Sequence, residues 1–114
     1  MSLDPAAALA ARDRELTGWL DALSHEMSAL RRVRGDEQGD DEHDPDGSTL
    51  AQEWSRLVGL HRAATVALAE VGAARARQAD GRYGVCERCS GPIGGDRLAA
   101  RPTARWCVRC AVVR

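Results

Sequence analysis

Two cysteine pairs of the form C-x-x-C near the end of the chain constrain its fold more than any other feature. The first pair is Cys86 and Cys89, and the second, after seventeen intervening residues, is Cys107 and Cys110. Each pair forms a tight turn that offers two thiolates, and the intervening stretch is long enough to double back and bring both pairs onto one tetrahedral ion. The spacing predicts one zinc ion per chain. Because four cysteines close its coordination shell, we expect the ion to be structural.

Disulfides and an iron–sulfur cluster are the alternative uses of four cysteines. Disulfides require an oxidising compartment, but residues 1–16 lack the apolar core of a secretory signal and carry five charged side chains. A redox dithiol needs one C-x-x-C rather than two. No run approaches the roughly 20 apolar residues of a membrane span. Zinc is therefore favoured, in a cytoplasmic protein that does not enter a membrane.

The segment that carries the cysteines has little else to hold it together. Gly91-Pro92 and Gly94-Gly95 bend its middle, and its buried apolar side chains are expected to be mainly Tyr83, Ile93, Leu98 and Trp106. A segment with so small a core depends on its metal, which supplies ~10 to 16 kcal/mol of apparent binding energy in such sites.

The first part of the chain predicts a long helix. Asp4 and Pro5 suit a helix start, and the helix should run to Arg34, with Gly35 as its stop. Leucines recur every seven residues along it, at Leu9, Leu16, Leu23 and Leu30. A seam this narrow favours a single partner helix.

A second helix has the matching pattern. Thr49 and Gln52 are spaced for a capping box at its start, and it should end near Asp80, with Gly81 as the stop. Its seam follows steps of four and three residues through Leu50, Trp54, Leu57, His61, Ala64, Leu68 and Val71.

The two seams match if the chain folds back on itself. The pairs Leu30/Trp54, Met27/Leu57, Leu23/His61, Leu20/Ala64 and Leu16/Leu68 all fit one antiparallel register. We therefore predict a mainly α protein: an antiparallel two-helix coiled-coil hairpin over residues 1–80, with a tip loop at 35–47, and a small four-cysteine zinc-finger lobe with a short C-terminal helix over residues 81–114. A monomer is expected, although two chains could exchange helices through the same seam.

Charge is distributed unevenly along a chain whose net charge is −1. Residues 35–47 carry seven acidic side chains and no arginine, whereas residues 75–114 carry nine arginines and three acidic side chains. The arginine-rich lobe makes nucleic-acid binding an alternative function, through Arg82, Arg88, Arg97, Arg101, Arg105 and Arg109. No catalytic constellation is evident, so the chain is not expected to be an enzyme.

The cysteine-containing segment resembles the DksA/TraR zinc-finger family. The resemblance covers about thirty residues in order and spacing: Tyr83 to Cys89, Ile93, the run Arg97 to Ala104, and Cys107 to Cys110. The R-L-x-A-x-P-x-A run is not demanded by zinc spacing alone. The resemblance implies a transcriptional regulator that binds bacterial RNA polymerase through its secondary channel, with no direct sequence-specific binding to DNA.

The same resemblance assigns a role to the acidic tip. DksA-like proteins carry D-x-x-D at the end of the hairpin, and Asp41 and Asp44 form the matching pair in this sequence. The resemblance implies that these two aspartates approach the polymerase active site and modulate initiation. From composition alone, the same run would be a solvated loop of like charges.

Overall fold

The computed structural model describes residues 4–37 and 45–112, and within these ranges the fold is mainly α, as predicted. Two long helices are followed by two short ones, and the described residues include no strand beyond one isolated bridge between Val85 and Pro92. The helices are α1 (Pro5–Glu37), α2 (Pro45–Ala79), α3 (Gly95–Ala100) and α4 (Val108–Val112).

Helix α1 begins where the sequence predicts but continues past its predicted end. The Oδ1 atom of Asp4 accepts a hydrogen bond of 3.1 Å from the backbone N–H of Ala6, and this bond satisfies one free donor of the first turn. The predicted stop at Gly35 is wrong, because the helix includes Gly35 and reaches Glu37. A glycine inside a helix costs only about 1 kcal/mol relative to alanine, so a glycine alone does not end one.

Helix α2 begins earlier than predicted. Its first residue is Pro45, four positions before Thr49, so the predicted start at the Thr49–Gln52 capping box is wrong. Proline suits the first helical position because its φ is already helical and its missing N–H would have no partner there. Pro5 occupies the same position in α1.

Helix α2 ends as predicted, in a glycine turn. Gly81 has a φ of +75°, a left-handed conformation that glycine adopts without strain. The N–H of Arg82 donates to the carbonyl of Arg77 at 2.8 Å, and the N–H of Gly81 donates to that of Gln78 at 3.1 Å. These two bonds are the Schellman pattern, which satisfies carbonyls that the helix end leaves free.

The described chain divides into two compact units, each with buried seam residues. Within Leu16–Ala67, the buried residues are Leu16, Leu23, Leu57 and Ala64. Within the other unit, formed by Met1–Glu15 and Leu68–Arg114, the helices bury Leu9, Val71 and Ala74. The heptad periodicity therefore identifies the apolar faces of both long helices.

Contacts between α1 and α2 run in the antiparallel sense. In the Leu16–Ala67 unit, the guanidinium of Arg31, one residue after Leu30, lies 5.4 Å from the centre of the Trp54 ring. In the other unit, Arg75 pairs with Asp13 across 3.2 Å. The C-terminal part of α1 thus contacts the N-terminal part of α2, and the N-terminal part of α1 contacts the C-terminal part of α2. Both contacts fit the predicted antiparallel pairing.

Most of α2 is strongly apolar. The stretch Thr49–Ala79 is long and apolar enough to cross a membrane by length and composition alone, which the sequence analysis did not anticipate. The core helix of a soluble protein passes the same test. This stretch carries six charged side chains, and it buries Leu57, Ala64 and Val71 against the rest of the protein.

Candidate metal centre

The first cysteine pair lies in a tight hairpin turn. The N–H of Cys86 donates to the carbonyl of Gly91 at 2.8 Å, and the N–H of Ser90 donates to the carbonyl of Cys86 at 2.9 Å. Ser90 has a φ of +63°, a left-handed conformation that is uncommon for a residue with a side chain. The turn is narrow enough that a Cβ on Gly91 would lie 3.4 Å from the Sγ atom of Cys89.

The second cysteine pair lies at the start of α4. Cys107 precedes the helix, Cys110 lies within it, and the N–H of Ala111 donates to the carbonyl of Cys107 at 2.9 Å. A backbone hydrogen bond of 2.9 Å from the N–H of Glu87 to the carbonyl of Arg105 joins this half of the finger to the first turn.

The four sulfur atoms converge on one point. The Sγ atoms of Cys86, Cys89, Cys107 and Cys110 all lie within 4.8 Å of one another, and all four cysteines are free thiols. The Sγ atoms of Cys89 and Cys107 are 3.8 Å apart, well beyond the roughly 2.05 Å of a disulfide. A tetrahedral zinc ion with Zn–S bonds of about 2.3 Å places its ligands about 3.8 Å from one another. The donor set and its spacing fit zinc.

The surroundings of the thiols shift their pKa values in opposite directions. Burial acts to raise the pKa of Cys86, but hydrogen bonds from the backbone N–H groups of Cys89, Cys107 and Arg88 outweigh it and lower that pKa to about 6. Burial and the neighbouring thiols raise the pKa of Cys110 to about 12. Because zinc binds thiolates, metal binding must displace the protons of these thiols.

A small apolar cluster supports the cysteines. Cys86, Ile93 and Ala104 are buried, and Leu98, Cys107 and Cys110 pack against them. The expectation that Trp106 is buried is wrong, since its side chain is 38% exposed. Its ring lies instead under the guanidinium groups of Arg88 and Arg105, at 5.4 Å and 5.6 Å from the ring centre. Cation–π attraction explains how a half-exposed indole keeps a fixed position.

Side-chain contacts that the sequence does not predict connect the parts of the finger. Arg77 is 6% exposed and donates a hydrogen bond to the carbonyl of Thr103 at 3.3 Å. Glu87 accepts from Arg105 at 3.1 Å, and the Tyr83 hydroxyl donates to the carbonyl of Pro102 at 2.7 Å. The one sequence signal for Arg77 is its position three residues after Ala74, which continues the buried seam of α2.

The arginines considered for nucleic-acid binding largely contact their own chain. Arg82 pairs with Asp80 at 3.1 Å. Arg88 and Arg97 donate to the carbonyls of Cys110 and Trp106 at 3.0 Å and 2.7 Å. With Arg105 bound to Glu87, four of the six arginines are held within the finger or beside it.

The predicted tip residues cannot be placed in the same way. Asp41 and Asp44 lie outside the residues that the structure describes.

The finger matches a known family profile, and the fold matches a solved structure. Residues 81–114 match the family profile of the prokaryotic dksA/traR C4-type zinc finger. The solved structure of transcription factor DksA2 from Pseudomonas aeruginosa matches with a TM-score of 0.78 and 25% sequence identity, over 92% of this chain and 75% of that chain. An uncharacterized protein from Aquifex aeolicus (strain VF5) is 38% identical over 55 residues. That match covers 48% of this chain and only 38% of the relative's length.

The profile match and the convergence of four thiols together confirm the predicted cofactor. The finger holds one structural zinc ion in a four-cysteine site.

Proposed function

We propose that this chain, a DksA-like member of the DksA/TraR family of C4-type zinc-finger proteins, is a transcription factor that binds bacterial RNA polymerase. One observation carries the proposal. The zinc finger and the two long helices occur together in an arrangement that matches a transcription factor over 92% of the chain, so the likeness extends far beyond the cysteine motif.

The helical pair is the part that we propose to enter the polymerase, through its secondary channel. The buried leucines of α1 and α2 make the pair a packed element rather than two separate helices. In this proposal Asp41 and Asp44 act at the end of that element, near the active site, and modulate initiation. The protein would then work in the cytoplasm, where the polymerase is.

We do not propose a catalytic activity for the chain itself. Among the described residues, the one group of potential metal ligands that converges is the set of four cysteines. Four thiolates fill the zinc shell and leave no position for a water molecule or a substrate. The metal therefore supports the fold of the finger, and any effect on RNA synthesis is exerted on the polymerase.

The alternative function, binding of nucleic acid by the finger, has weaker support. Recognition of phosphates requires guanidinium groups that can turn outward. Arg88, Arg97 and Arg105 are bonded to other groups of the finger and are not free to reorient without breaking those bonds. The tetrathiolate zinc site adds two further negative charges to the lobe.

Two binding measurements separate these functions. The first titrates the zinc-loaded protein against purified bacterial RNA polymerase, with and without a transcript-cleavage factor that occupies the secondary channel. The second titrates it against duplex DNA over a range of salt concentrations. We expect saturable binding to polymerase that the channel-bound factor inhibits, and only weak, strongly salt-dependent binding to DNA.

Each result has a clear reading. Polymerase binding that the competitor does not affect would contradict entry through the channel while leaving a polymerase partner in place. An absence of polymerase binding, together with tight binding to DNA, would favour the nucleic-acid module instead.

A further inference from the structure

Arg77 is the one charged or polar residue among the described residues that is buried, with 6% of its surface exposed. A guanidinium group is costly to bury unless its donors are satisfied. Arginine at the equivalent position of an ordinary helix end would extend into solvent, as Arg75 does, where its side chain is half exposed. The burial of Arg77 therefore needs an explanation that helix α2 alone does not give.

The guanidinium of Arg77 contacts both halves of the finger. Nη2 donates to the carbonyl of Thr103, four residues before Cys107, at 3.3 Å. Nη1 lies 3.9 Å from Oε1 of Glu87, the residue that follows Cys86. One side chain from α2 thus reaches the segment that leads to each cysteine pair, although no hydrogen bond joins it to a sulfur atom.

Glu87 extends this connection. Its Oε2 atom accepts a hydrogen bond from Nε of Arg105, two residues before Cys107, at 3.1 Å. Its backbone N–H donates to the carbonyl of Arg105 at 2.9 Å. The glutamate between the first two cysteines is therefore held between two arginines, one from α2 and one from the second half of the finger.

We propose that Arg77 is a positioning residue for the zinc centre, which holds the two cysteine pairs at ligand distance through Thr103 and Glu87. In the zinc-bound protein the guanidinium of Arg77 contacts Thr103 in one half of the finger and Glu87 in the other. In the zinc-free protein the two halves are no longer tied together, so the same guanidinium loses these partners to water. Zinc binding and the burial of Arg77 thus stabilise each other, and this coupling is reciprocal by thermodynamic necessity. The proposal is independent of the partner and function proposed above.

The decisive variant is Arg77→Met, which keeps most of the apolar length of the side chain and removes the guanidinium. Partners that orient a metal site from outside its ligand shell typically contribute about 10-fold to 100-fold in metal affinity. Because Arg77 acts through two intermediate groups, we expect zinc affinity to fall by about tenfold, at the lower end of this range. Competition with a chromophoric zinc chelator at neutral pH measures this change.

A second measurement distinguishes positioning from a general structural role. Arg77→Met should lower the melting temperature of the zinc-bound protein but leave that of the zinc-free protein unchanged, because the zinc-free finger offers Arg77 nothing to hold. Arg77→Lys should restore part of the zinc affinity, since one ammonium group can reach Thr103 or Glu87 but cannot bond both as a planar guanidinium does.

Two further variants complete the test. Arg82→Met removes an exposed arginine that is closer in sequence to Cys86 and pairs with Asp80 outside the finger's cysteine turns, so it should leave zinc affinity unchanged. Glu87→Gln should weaken zinc binding in the wild type and much less in the Arg77→Met background. The two residues position the cysteines through the same ion pair, so the two substitutions should not have additive effects. Unchanged zinc affinity in Arg77→Met, or equal losses of melting temperature with and without zinc, would overturn the proposal.

Discussion

The Sγ atoms of Cys89 and Cys107, which belong to different halves of the finger, lie 3.8 Å apart. The described segment between the two residues contains the short helix α3 and no strand, and its one bridge joins Pro92 to Val85. The distance between these two sulfur atoms equals the sulfur–sulfur distance in a tetrahedral zinc site, so the two halves of the finger are spaced to bind zinc.

Removal of zinc should unfold the finger and leave the long helices largely intact. The cluster of Cys86, Ile93 and Ala104 is too small to hold residues 81–112 without the metal. Because α3 and α4 contribute eleven helical residues against sixty-eight in α1 and α2, a chelator should lower the far-ultraviolet helix signal only slightly. Alkylation of the four cysteines should become fast at the same time. A helix signal that collapses on chelation would mean that the long helices depend on the finger.

Leu57→Asp should open the helical pair. Leu57 is 2% exposed, so the substitution places an unpaired carboxylate among leucines, and we expect a loss of at least about 3 kcal/mol in the free energy of unfolding. Urea denaturation followed by circular dichroism measures it. The matched control is Val66→Asp on the same helix, where the side chain is 54% exposed and the change should stay within about 0.5 kcal/mol. Equal effects at the two positions would show that the seam is misassigned.

Two glycine substitutions should have opposite effects on stability. A Cβ on Gly59, inside α2, would meet nothing within 4 Å, so Gly59→Ala should raise the free energy of unfolding by about 1 kcal/mol through helix propensity. Gly81 also has open space, but its φ of +75° makes Gly81→Ala unfavourable by about 1 kcal/mol. Thermal melts of the zinc-bound variants test both signs, and the same sign in the two would contradict the assigned end of α2.

Replacement of both predicted tip aspartates should separate binding from regulation. Asp41→Asn with Asp44→Asn preserves size and removes two charges. If the proposed function holds, the rest of the chain supplies the docking surface, so we expect affinity for RNA polymerase to stay within about tenfold. The effect on open-complex lifetime at a ribosomal-type promoter should largely disappear. Binding titrations and initiation assays on the same samples measure the two quantities.

The control for the tip removes the same charge elsewhere. Asp21 and Asp96 are both exposed and lie in α1 and α3, so Asp21→Asn with Asp96→Asn matches the change in net charge. This variant should regulate as the wild type does. If the tip variant also regulates normally, the acidic run acts only as a solvated loop.

The parts of the structure that were predictable are those in which a repeated local pattern sets the contacts. A seven-residue spacing of leucines dictates which face of α1 is buried, and Leu16 and Leu23 are indeed among the least exposed side chains. The spacing of the four cysteines likewise predicts convergence, because each C-x-x-C can adopt only a narrow set of turns that offer both thiolates to one ion.

The parts that were not predictable depend on contacts between residues far apart in sequence. The position of Arg77 three residues after Ala74 places it on the buried seam of α2, but only the structure shows that its guanidinium contacts Thr103 and Glu87, whereas Arg75 stays half exposed. Trp106 is a large aromatic residue of the kind expected in a core, but its ring lies at the surface in cation–π contact with Arg88 and Arg105. The predicted start of α2 rests on the capping signal at Thr49, whereas the helix begins at Pro45, because proline suits the first helical position.

The pairing of Asp13 with Arg75 has a consequence for how the chain is made. These residues are sixty-two positions apart, and the first turns of α1 belong to the same compact unit as everything from Leu68 onward. The other unit, Leu16–Ala67, is continuous in sequence and is complete as soon as Ala67 has left the ribosome. The Leu16–Ala67 unit can therefore fold before Leu68 and the residues after it are made, whereas Asp13 must wait for Arg75, sixty-two positions later, before it finds its partner.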